Sequence, residues 1–328
     1  MGQTQKVPAI TTLNMAPLFS RVFVLSMLMF SVVADSEDSP HKQSIPAIPP
    51  AIVALAFFGL SFLIHLIHSF RFGPPRPFML TLLIGMAMMI GGFATRILSA
   101  NSTSQGIRTT TTILILLAPS LFLALSYMIL GRLAGMLGPD VASRTMFIRP
   151  TRVATIFVWS DVATFLIQAL GGVLLTSKTV NTAMTGKDIL LAGLLLQLTS
   201  FGLFIGLAFV FGVRLRKHFP HLWQANSGKP DFAFLGRDFV SDWKVLYYTL
   251  SITCVALMIR SVFRVVEFAS GFNSVLSTDE VYEYFLDTLP VWFAVTMYCL
   301  VWPPRFLALP GESTLELKRL SPPSHVTE

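Results

Sequence analysis

Long apolar runs follow one another along this chain from residue 51 to residue 302, with short polar stretches between them. Seven runs approach the roughly 20 residues that an α-helix needs to cross a bilayer. We predict the spans at residues 51–70, 78–99, 112–137, 153–175, 188–211, 245–266 and 284–302. The runs lack the alternation of membrane β-strands. The pattern therefore predicts an all-α polytopic membrane protein, a bundle of seven transmembrane helices.

The composition agrees with this prediction and narrows the possible functions. Hydrophobic residues make up 53% of the chain, charged residues make up 12%, and the mean hydropathy is +0.68. A soluble fold could not bury so large an apolar fraction. The net charge of +7 comes from Lys and Arg scattered through short loops rather than from a basic stripe, so we expect no nucleic-acid partner. The chain has no phosphate-binding loop motif, and we expect no metal, no cofactor and no enzymatic activity.

The first 34 residues have the features of a secretory signal peptide. Arg21 precedes an apolar run over residues 22–34 that ends in Val-Val-Ala, and the run is too short to span a bilayer. We favour this interpretation over an unstructured apolar tail or a misassigned start, with Met15 as an alternative initiator. Residues 35–47 then form a short external tail, residues 48–303 the transmembrane domain and residues 304–328 a cytoplasmic tail.

Basic residues predict the orientation of the bundle. One side of the bundle, with the loops after the first, third and fifth spans and the C-terminal tail, holds fifteen Lys and Arg residues including Arg132 at the end of the third span, whereas the opposite side holds five. The positive-inside rule places the N-terminus outside and the C-terminus in the cytoplasm. The sequon at Asn101 then lies in an outer loop and is a possible glycosylation site, although its closeness to the second span can block modification.

Charged residues in the last two spans predict ion pairs between them. Arg260, Arg264 and Glu267 follow a helical i, i+4, i+7 spacing and share one face of the sixth span. Each charge at mid-bilayer costs about 2.5–3.5 kcal/mol on insertion scales, so these side chains must face protein or water. The seventh span carries a second charged face, made of Glu280, Glu283 and Asp287. A short connection makes the two spans antiparallel neighbours, and Arg96 of the second span ends on the same side.

The fourth span carries a deeper polar face, formed by Asp161, Thr164 and Gln168. No neighbour in the sequence neutralises Asp161, so either another span supplies a partner or the carboxyl group is protonated. The candidate neighbours are Gln197, Ser126 and Tyr127. For the charges of the last two spans, a structural ion-pair clamp and a ligand site both remain open. For Asp161 we favour a functional role.

Other residues predict how the spans pack. We expect close helix contacts at the glycines of the fourth and fifth spans, and Gly202 and Gly206 match the small-xxx-small pattern; the others are Gly171, Gly172 and Gly193. Pro119 predicts a kink in the third span, a common feature where a bundle opens around a cavity. His65 and His68 are expected at the inner membrane interface rather than around a metal.

Four stretches of the chain resemble the fungal RTA-like, or lipid-translocating exporter, family. They are APSLFLALSYMILGR (118–132), WSDVATFLIQALGG (159–172), AGLLLQLTSFGLFI (192–205) and IRSVFRVVEFASG (259–271), with Tyr284-x-x-Asp287 after them. The resemblance covers roughly residues 48–303. It implies a seven-helix membrane protein that exports or translocates sphingoid bases and confers resistance to amphipathic toxins. The family pattern carries over onto Arg132, Asp161, Gln168, Gln197, Arg260, Arg264, Glu267 and Asp287.

The second span departs from the family pattern. The family has an acidic residue followed by Gly-Tyr-x-x-Arg, whereas this chain has Met89 and then Gly92-Phe93-Ala94-Thr95-Arg96. Without this carboxylate, recognition of a cationic head group is less expected, and the substrate is expected to differ from that of the family.

The leading functional hypothesis is a translocator or exporter of amphipathic, lipid-like molecules. Its partners are membrane lipids or amphipathic small molecules, and its location is the plasma membrane rather than the endoplasmic reticulum or the vacuolar membrane. The predicted translocation residues are Asp161, Thr164, Gln168, Gln197, Arg260, Arg264, Glu267, Glu283, Asp287 and Arg96. The alternatives are a seven-helix sensor of membrane stress that transports nothing, and a scaffold.

Overall fold

A computed structural model describes residues 48–71, 77–100, 105–175, 179–220, 223, 243–270 and 280–307. The predicted signal peptide, the external tail, Asn101 and residues 308–328 of the predicted cytoplasmic tail lie outside the described residues. The predictions for those parts of the chain remain predictions.

Every regular element in the described ranges is helical, which confirms the all-α prediction. The first seven helices are α1 (Ile48–Arg71), α2 (Pro77–Ala100), α3 (Gln105–Met136), α4 (Pro139–Thr145), α5 (Pro150–Leu175), α6 (Val180–His218) and α7 (Trp243–Ser270). The seventh predicted span consists of α8 (Glu280–Tyr282), a π-helix (Glu283–Thr288) and α9 (Leu289–Leu300). The short α10 (Pro303–Phe306) follows. Among these elements, α1, α2, α3, α5, α6 and α7 are long and apolar enough to cross a membrane.

The observed helices extend beyond the predicted spans, and α6 does so most. It has 39 residues, which corresponds to a length of about 58 Å, whereas the hydrocarbon core of a bilayer is about 30 Å thick. Its last turns carry Arg216, Lys217 and His218. The apolar pattern predicts the part of a helix that lies in hydrocarbon, and polar turns that continue the same helix into water carry no such pattern.

The third span forms the centre of the bundle. In its apolar window 83% of the residues are buried by the protein, compared with 28% in α1, so α3 lies in the core while α1 lies at the periphery. It packs against α2, α5 and α7, and α5 packs in turn on α6. Helices α1 and α7 also contact α9. Polar side chains that point inward from α5 and α7 therefore meet α3 rather than lipid.

Glycines bring α5 and α6 together at two of the positions predicted from the sequence, Gly171 and Gly193, but not at the pair with the small-xxx-small spacing. A Cβ atom on Gly171 would lie 2.8 Å from the carbonyl oxygen of Gly186 and would also overlap the backbone of Leu190. The prediction of a close contact at Gly202 and Gly206 is wrong. A Cβ on Gly206 would meet nothing within 4 Å, and one on Gly202 would only reach Met258 at 3.9 Å.

The first residues of the predicted seventh span, residues 284–302, lie in the π-helix, where we expected an ordinary α-helix. The Leu289 amide donates to the Tyr284 carbonyl, five residues earlier. Pro290 follows directly and has no N–H to continue an α-helical ladder into this turn. Single π-helical turns inside helices are frequent at functional sites, and this one contains Asp287.

Candidate functional site

Asp287 and Arg264 form the centre of a buried ion-pair cluster between α7 and the π-helix. Arg264 donates from Nε to Oδ1 of Asp287 over 2.9 Å and from Nη2 to Oδ2 over 2.7 Å. Its remaining Nη1 donates to Oε2 of Glu267 over 3.1 Å. The Asp287 side chain is 1% exposed. Two parallel bonds of this kind are the strongest geometry for a guanidinium and a carboxylate, and they offset part of the cost of burying both charges.

Arg260 lies beside this pair and is bound differently. Its Nε lies 3.1 Å from Oδ1 of Asp287 in an ion pair, and its Nη2 donates to the backbone carbonyl of Ile115 in α3 over 3.2 Å. Ile115 precedes Pro119 by four residues, so its carbonyl has no amide partner from that position of the helix. The proline in α3 thus frees an acceptor, and the Arg260 guanidinium uses it.

A third pair joins α2 to the π-helix. Arg96 donates to both carboxylate oxygens of Glu283 over 2.7 and 2.8 Å, and its guanidinium lies over the Tyr284 ring. The predicted pairing of the sixth-span cations with acidic partners in the seventh span, joined by Arg96, is therefore confirmed in this geometry. Glu280 lies in α8, but its side chain lies outside the described residues.

Asp161 is bound by Tyr127, one of the three neighbours that we considered. The Tyr127 hydroxyl donates to Oδ2 of Asp161 over 2.9 Å, while Oδ1 is buried and accepts no hydrogen bond from any described residue. Phe157 and Phe204 surround the phenol ring at centroid distances of 5.3 and 4.5 Å. Asp161 therefore has one hydrogen-bond donor in an aromatic environment, whereas the charge of Asp287 is compensated by two guanidinium groups. This arrangement suits a carboxyl group that takes up and releases a proton.

The amides of Gln168 and Gln197 bridge α5 and α6. Gln168 Nε2 donates to Oε1 of Gln197 over 2.8 Å. Gly193 makes room for this contact, because a Cβ atom there would lie 2.7 Å from Cγ of Gln168. The third member of the predicted face of α5, Thr164, donates instead to the Asp161 backbone carbonyl over 3.0 Å.

A small polar cleft opens between α3, α6 and α7. Its volume is about 30 Å³, which is room for about two water molecules. Its lining is Leu116, Pro119, Ser120, Leu123, Leu194, Gln197, Leu198, Leu257, Arg260, Ser261 and Arg264. The structure thus brings Gln197, Arg260 and Arg264 to one space. Asp161 and Thr164 do not line it, so the predicted site is divided into two parts.

An apolar groove of about 560 Å³ lies on another side of α7. Its lining is Gly202, Ile205, Val255, Met258, Ile259, Val262, Phe263, Val266 and Leu286. Val255 is 58% exposed and would face lipid in a membrane. A Cβ atom on Gly202 would reach only Met258 at 3.9 Å, so this glycine widens the groove instead of bringing two helices into close contact.

Two basic residues lie away from the polar cleft. The His65 side chain is fully buried between α1 and α9, with Nε2 3.1 Å from the Val295 carbonyl and 3.2 Å from Sγ of Cys299, and its depth relative to the membrane interface stays a prediction. The Arg132 guanidinium lies 4.3 Å from the ring centroid of Phe78, away from the polar cleft.

Sequence reasoning connected Pro119 with a cavity but missed the contribution of Ser120 to the cleft. A proline inside a span frees the carbonyl four residues before it, so the sequence already marked Ile115 as an acceptor without a helical partner. Nothing in the sequence indicated that Arg260 would be the donor, because α3 and α7 are far apart along the chain.

Comparison with known proteins places these features in a family context. The sequence profile of the family described as RTA1 like protein matches residues 82–309. Protein RTA1 of Saccharomyces cerevisiae is 28% identical over 87% of this chain and 81% of its own length. The probable lipid transporter atnI of Emericella nidulans is 28% identical over 80% of this chain and 67% of its own length.

A third relative is matched over a shorter region. The sphingoid long-chain base transporter RSB1 of Saccharomyces cerevisiae is 30% identical over 50% of this chain and 48% of its own length. No solved structure matches this chain.

Proposed function

Because this chain belongs to the RTA1-like protein family, we propose that it moves amphipathic, lipid-like molecules across a membrane. Relatives carry the names of a lipid transporter and a sphingoid long-chain base transporter. The six long apolar helices make the chain an integral membrane protein, and we propose the plasma membrane as its location. The names of these two relatives describe transport rather than catalysis, which fits a protein that is not an enzyme.

The polar cleft between α3, α6 and α7 carries this proposal. Moving a charged or hydrogen-bonding head group through hydrocarbon is slow because the group loses its water without replacement. Arg260, Gln197 and Ser120 supply polar contacts at a depth where lipid supplies none. A head group that enters the cleft therefore crosses part of the bilayer at a lower free energy.

The apolar groove gives the tail of such a molecule a place beside the cleft. Along α6, Gly202 lies five residues from Gln197, a rise of about 8 Å, so the two spaces lie close to each other on this helix. We propose that the head group occupies the cleft while the hydrocarbon chain extends between α6 and α7 into the groove. The chain then stays in an apolar environment throughout the movement.

Transport assays in proteoliposomes test the proposal. The purified full chain is reconstituted, and the transbilayer movement of a labelled sphingoid base and of a panel of amphipathic toxins is measured. We expect movement at least about ten-fold faster than in protein-free vesicles. Rates equal to those of protein-free vesicles for every compound would contradict transport, and ligand-dependent changes of the protein without movement would favour the sensor hypothesis.

Substitution of Asp161 by Asn separates proton-coupled from passive movement. If proton uptake by Asp161 drives the cycle, Asp161→Asn abolishes the acceleration produced by a proton gradient and leaves the gradient-independent rate in place. Asp140→Asn, a change of the same kind at an exposed residue of α4, is the matched control. An unchanged response to the gradient in Asp161→Asn removes this residue from the mechanism.

A further inference from the structure

Three helices each present an unused hydrogen-bond donor to the polar cleft. Nη1 of Arg260, the hydroxyl group of Ser120 and the side-chain amide of Gln197 make no donated hydrogen bond to any residue that the structure describes. Arg260 is 6% exposed, so its guanidinium is buried in the protein apart from this space. Arg260 is buried and Ser120 and Gln197 are half-buried, so all three donors are available to an acceptor inside the cleft, which is either water or a ligand.

The charge of Arg260 is compensated less than that of Arg264. Arg264 donates to both oxygens of Asp287 and to Glu267. Arg260 shares Asp287 through one longer ion contact, and its hydrogen bond goes to the neutral carbonyl of Ile115. Asp287 serves two guanidinium groups, and the ion pairs of Glu267 and Glu283 are made with Arg264 and Arg96, so the charge of Arg260 is the least closely compensated of the three.

Among the described residues that line the cleft there is no carboxylate. Asp287 and Glu267 contact the guanidinium groups but are absent from the residues that line the space. A head group inside therefore meets cationic and neutral donors. An ammonium group would meet two guanidinium groups of its own sign, whereas an oxyanion would meet charge-assisted donors.

We propose that this cleft binds the oxyanion of a single-chain amphiphile, a phosphate or a carboxylate, in preference to an amine. This inference rests on the proposed function, because it names the head group that the translocator selects. Most of the remaining lining is apolar and suits an amphiphile, with Leu116, Leu123, Leu194, Leu198 and Leu257. The space holds about two water molecules, so a carboxylate fits with both of its oxygen atoms and a phosphate with two of its terminal oxygen atoms.

A competition assay tests the preference without requiring transport. The full chain is placed in nanodiscs of zwitterionic lipid, and radiolabelled hexadecyl phosphate is displaced by unlabelled hexadecyl phosphate, hexadecanoate, hexadecylamine or hexadecanol. All four have the same chain and differ in the head group. We expect the two oxyanions to compete at concentrations at least about ten-fold lower than the amine or the alcohol, as for a charge-assisted hydrogen bond. Comparison of the two oxyanions shows whether the site selects phosphate or carboxylate.

Substitutions in the cleft keep the test independent of the ion pairs that stabilise the fold. Gln197→Glu adds a carboxylate to the lining, and we expect it to weaken the binding of hexadecyl phosphate about ten-fold and to strengthen the binding of hexadecylamine. Gln197→Leu removes the amide without adding charge and should weaken the binding of the phosphate alone. Ser120→Ala should weaken the phosphate about ten-fold, whereas Ser251→Ala, a serine of α7 outside the lining, should have no effect.

Failure of this inference is distinguishable from failure of the proposed function. Equal competition by all four head groups, preference for the amine, or no specific binding would each overturn the oxyanion site. Transport of an amine in proteoliposomes would still support the translocator. Oxyanion binding without transbilayer movement would support the site and contradict transport.

Discussion

Asp287 illustrates how much one carboxylate can determine in a bundle of helices. It is the common partner of Arg260 and Arg264, and its side chain is 1% exposed, whereas Glu283 has one guanidinium partner and is 22% exposed. The two acids stand four residues apart in the same π-helix. Their energetic contributions differ because water screens Glu283 and does not reach Asp287.

Asp287→Asn should destabilise the protein far more than Glu283→Gln. Removing one partner of a buried pair leaves an uncompensated charge and costs about 3–5 kcal/mol, whereas an exchange at a partly exposed pair costs about 1 kcal/mol. The free energy of unfolding of both variants, measured in the same detergent by denaturant titration, checks this difference. Equal losses would show that the cluster behaves as one surface network.

At the scale of elements, close backbone approach decides which glycines matter. Gly171 of α5 faces the backbone of α6 directly, while Gly206 of α6 faces open space. Both lie within apolar helices, and the G-x-x-x-G spacing belongs to the second. Helix contacts depend on the direction that each glycine faces, which the spacing alone does not specify.

Gly171→Ala should destabilise the contact between α5 and α6, whereas Gly206→Ala should not. The added methyl group at Gly171 forces the two backbones apart at a cost of about 1–3 kcal/mol. At Gly206 the same change meets no neighbour and contributes about 0.5–1 kcal/mol of stability through helix propensity. Thermal unfolding of both variants in detergent measures the signs. A loss of stability at Gly206 would mean that this surface has a partner in the membrane.

At the scale of the whole molecule, the ion-pair cluster and α4 lie toward opposite ends of the bundle. Arg264 and Glu267 occupy the last turns of α7, which end at the predicted outer side, and α4 follows α3 at the predicted inner side. The orientation comes from the distribution of Lys and Arg. It therefore requires a measurement of its own.

Cysteine labelling in intact cells tests the orientation. Asn181→Cys lies at the start of α6 and Ser143→Cys lies in α4, and both positions are exposed. We expect a membrane-impermeant maleimide to label Asn181→Cys in intact cells and Ser143→Cys only after permeabilisation. The parent chain, with Cys254 buried and Cys299 half-buried, reports the background. The opposite labelling pattern would show that the orientation in the membrane is the reverse of the predicted one.

The sequence by itself determined the class of the fold, the positions of the spans and the identity of most inward-facing polar side chains. These conclusions depend on local physics: apolar runs of spanning length must be helices in lipid, and charges within them must turn inward. The pairing of Arg260 and Arg264 with the seventh span followed from one short connection between neighbours in the sequence.

Only the tertiary structure decided which polar groups share a space. The Tyr127 hydroxyl donates a hydrogen bond to Asp161, while Gln197 lines the cleft together with Arg260 and Arg264. The Ile115 carbonyl, which Pro119 leaves without a helical partner, accepts a hydrogen bond from Arg260 between α3 and α7. Each of these contacts joins helices that are distant along the chain, and depends on how far each helix is rotated and shifted against its neighbours. Rotation and shift are set by packing at positions such as Gly171 and Gly193, where a backbone approach of a few ångströms outweighs any local pattern.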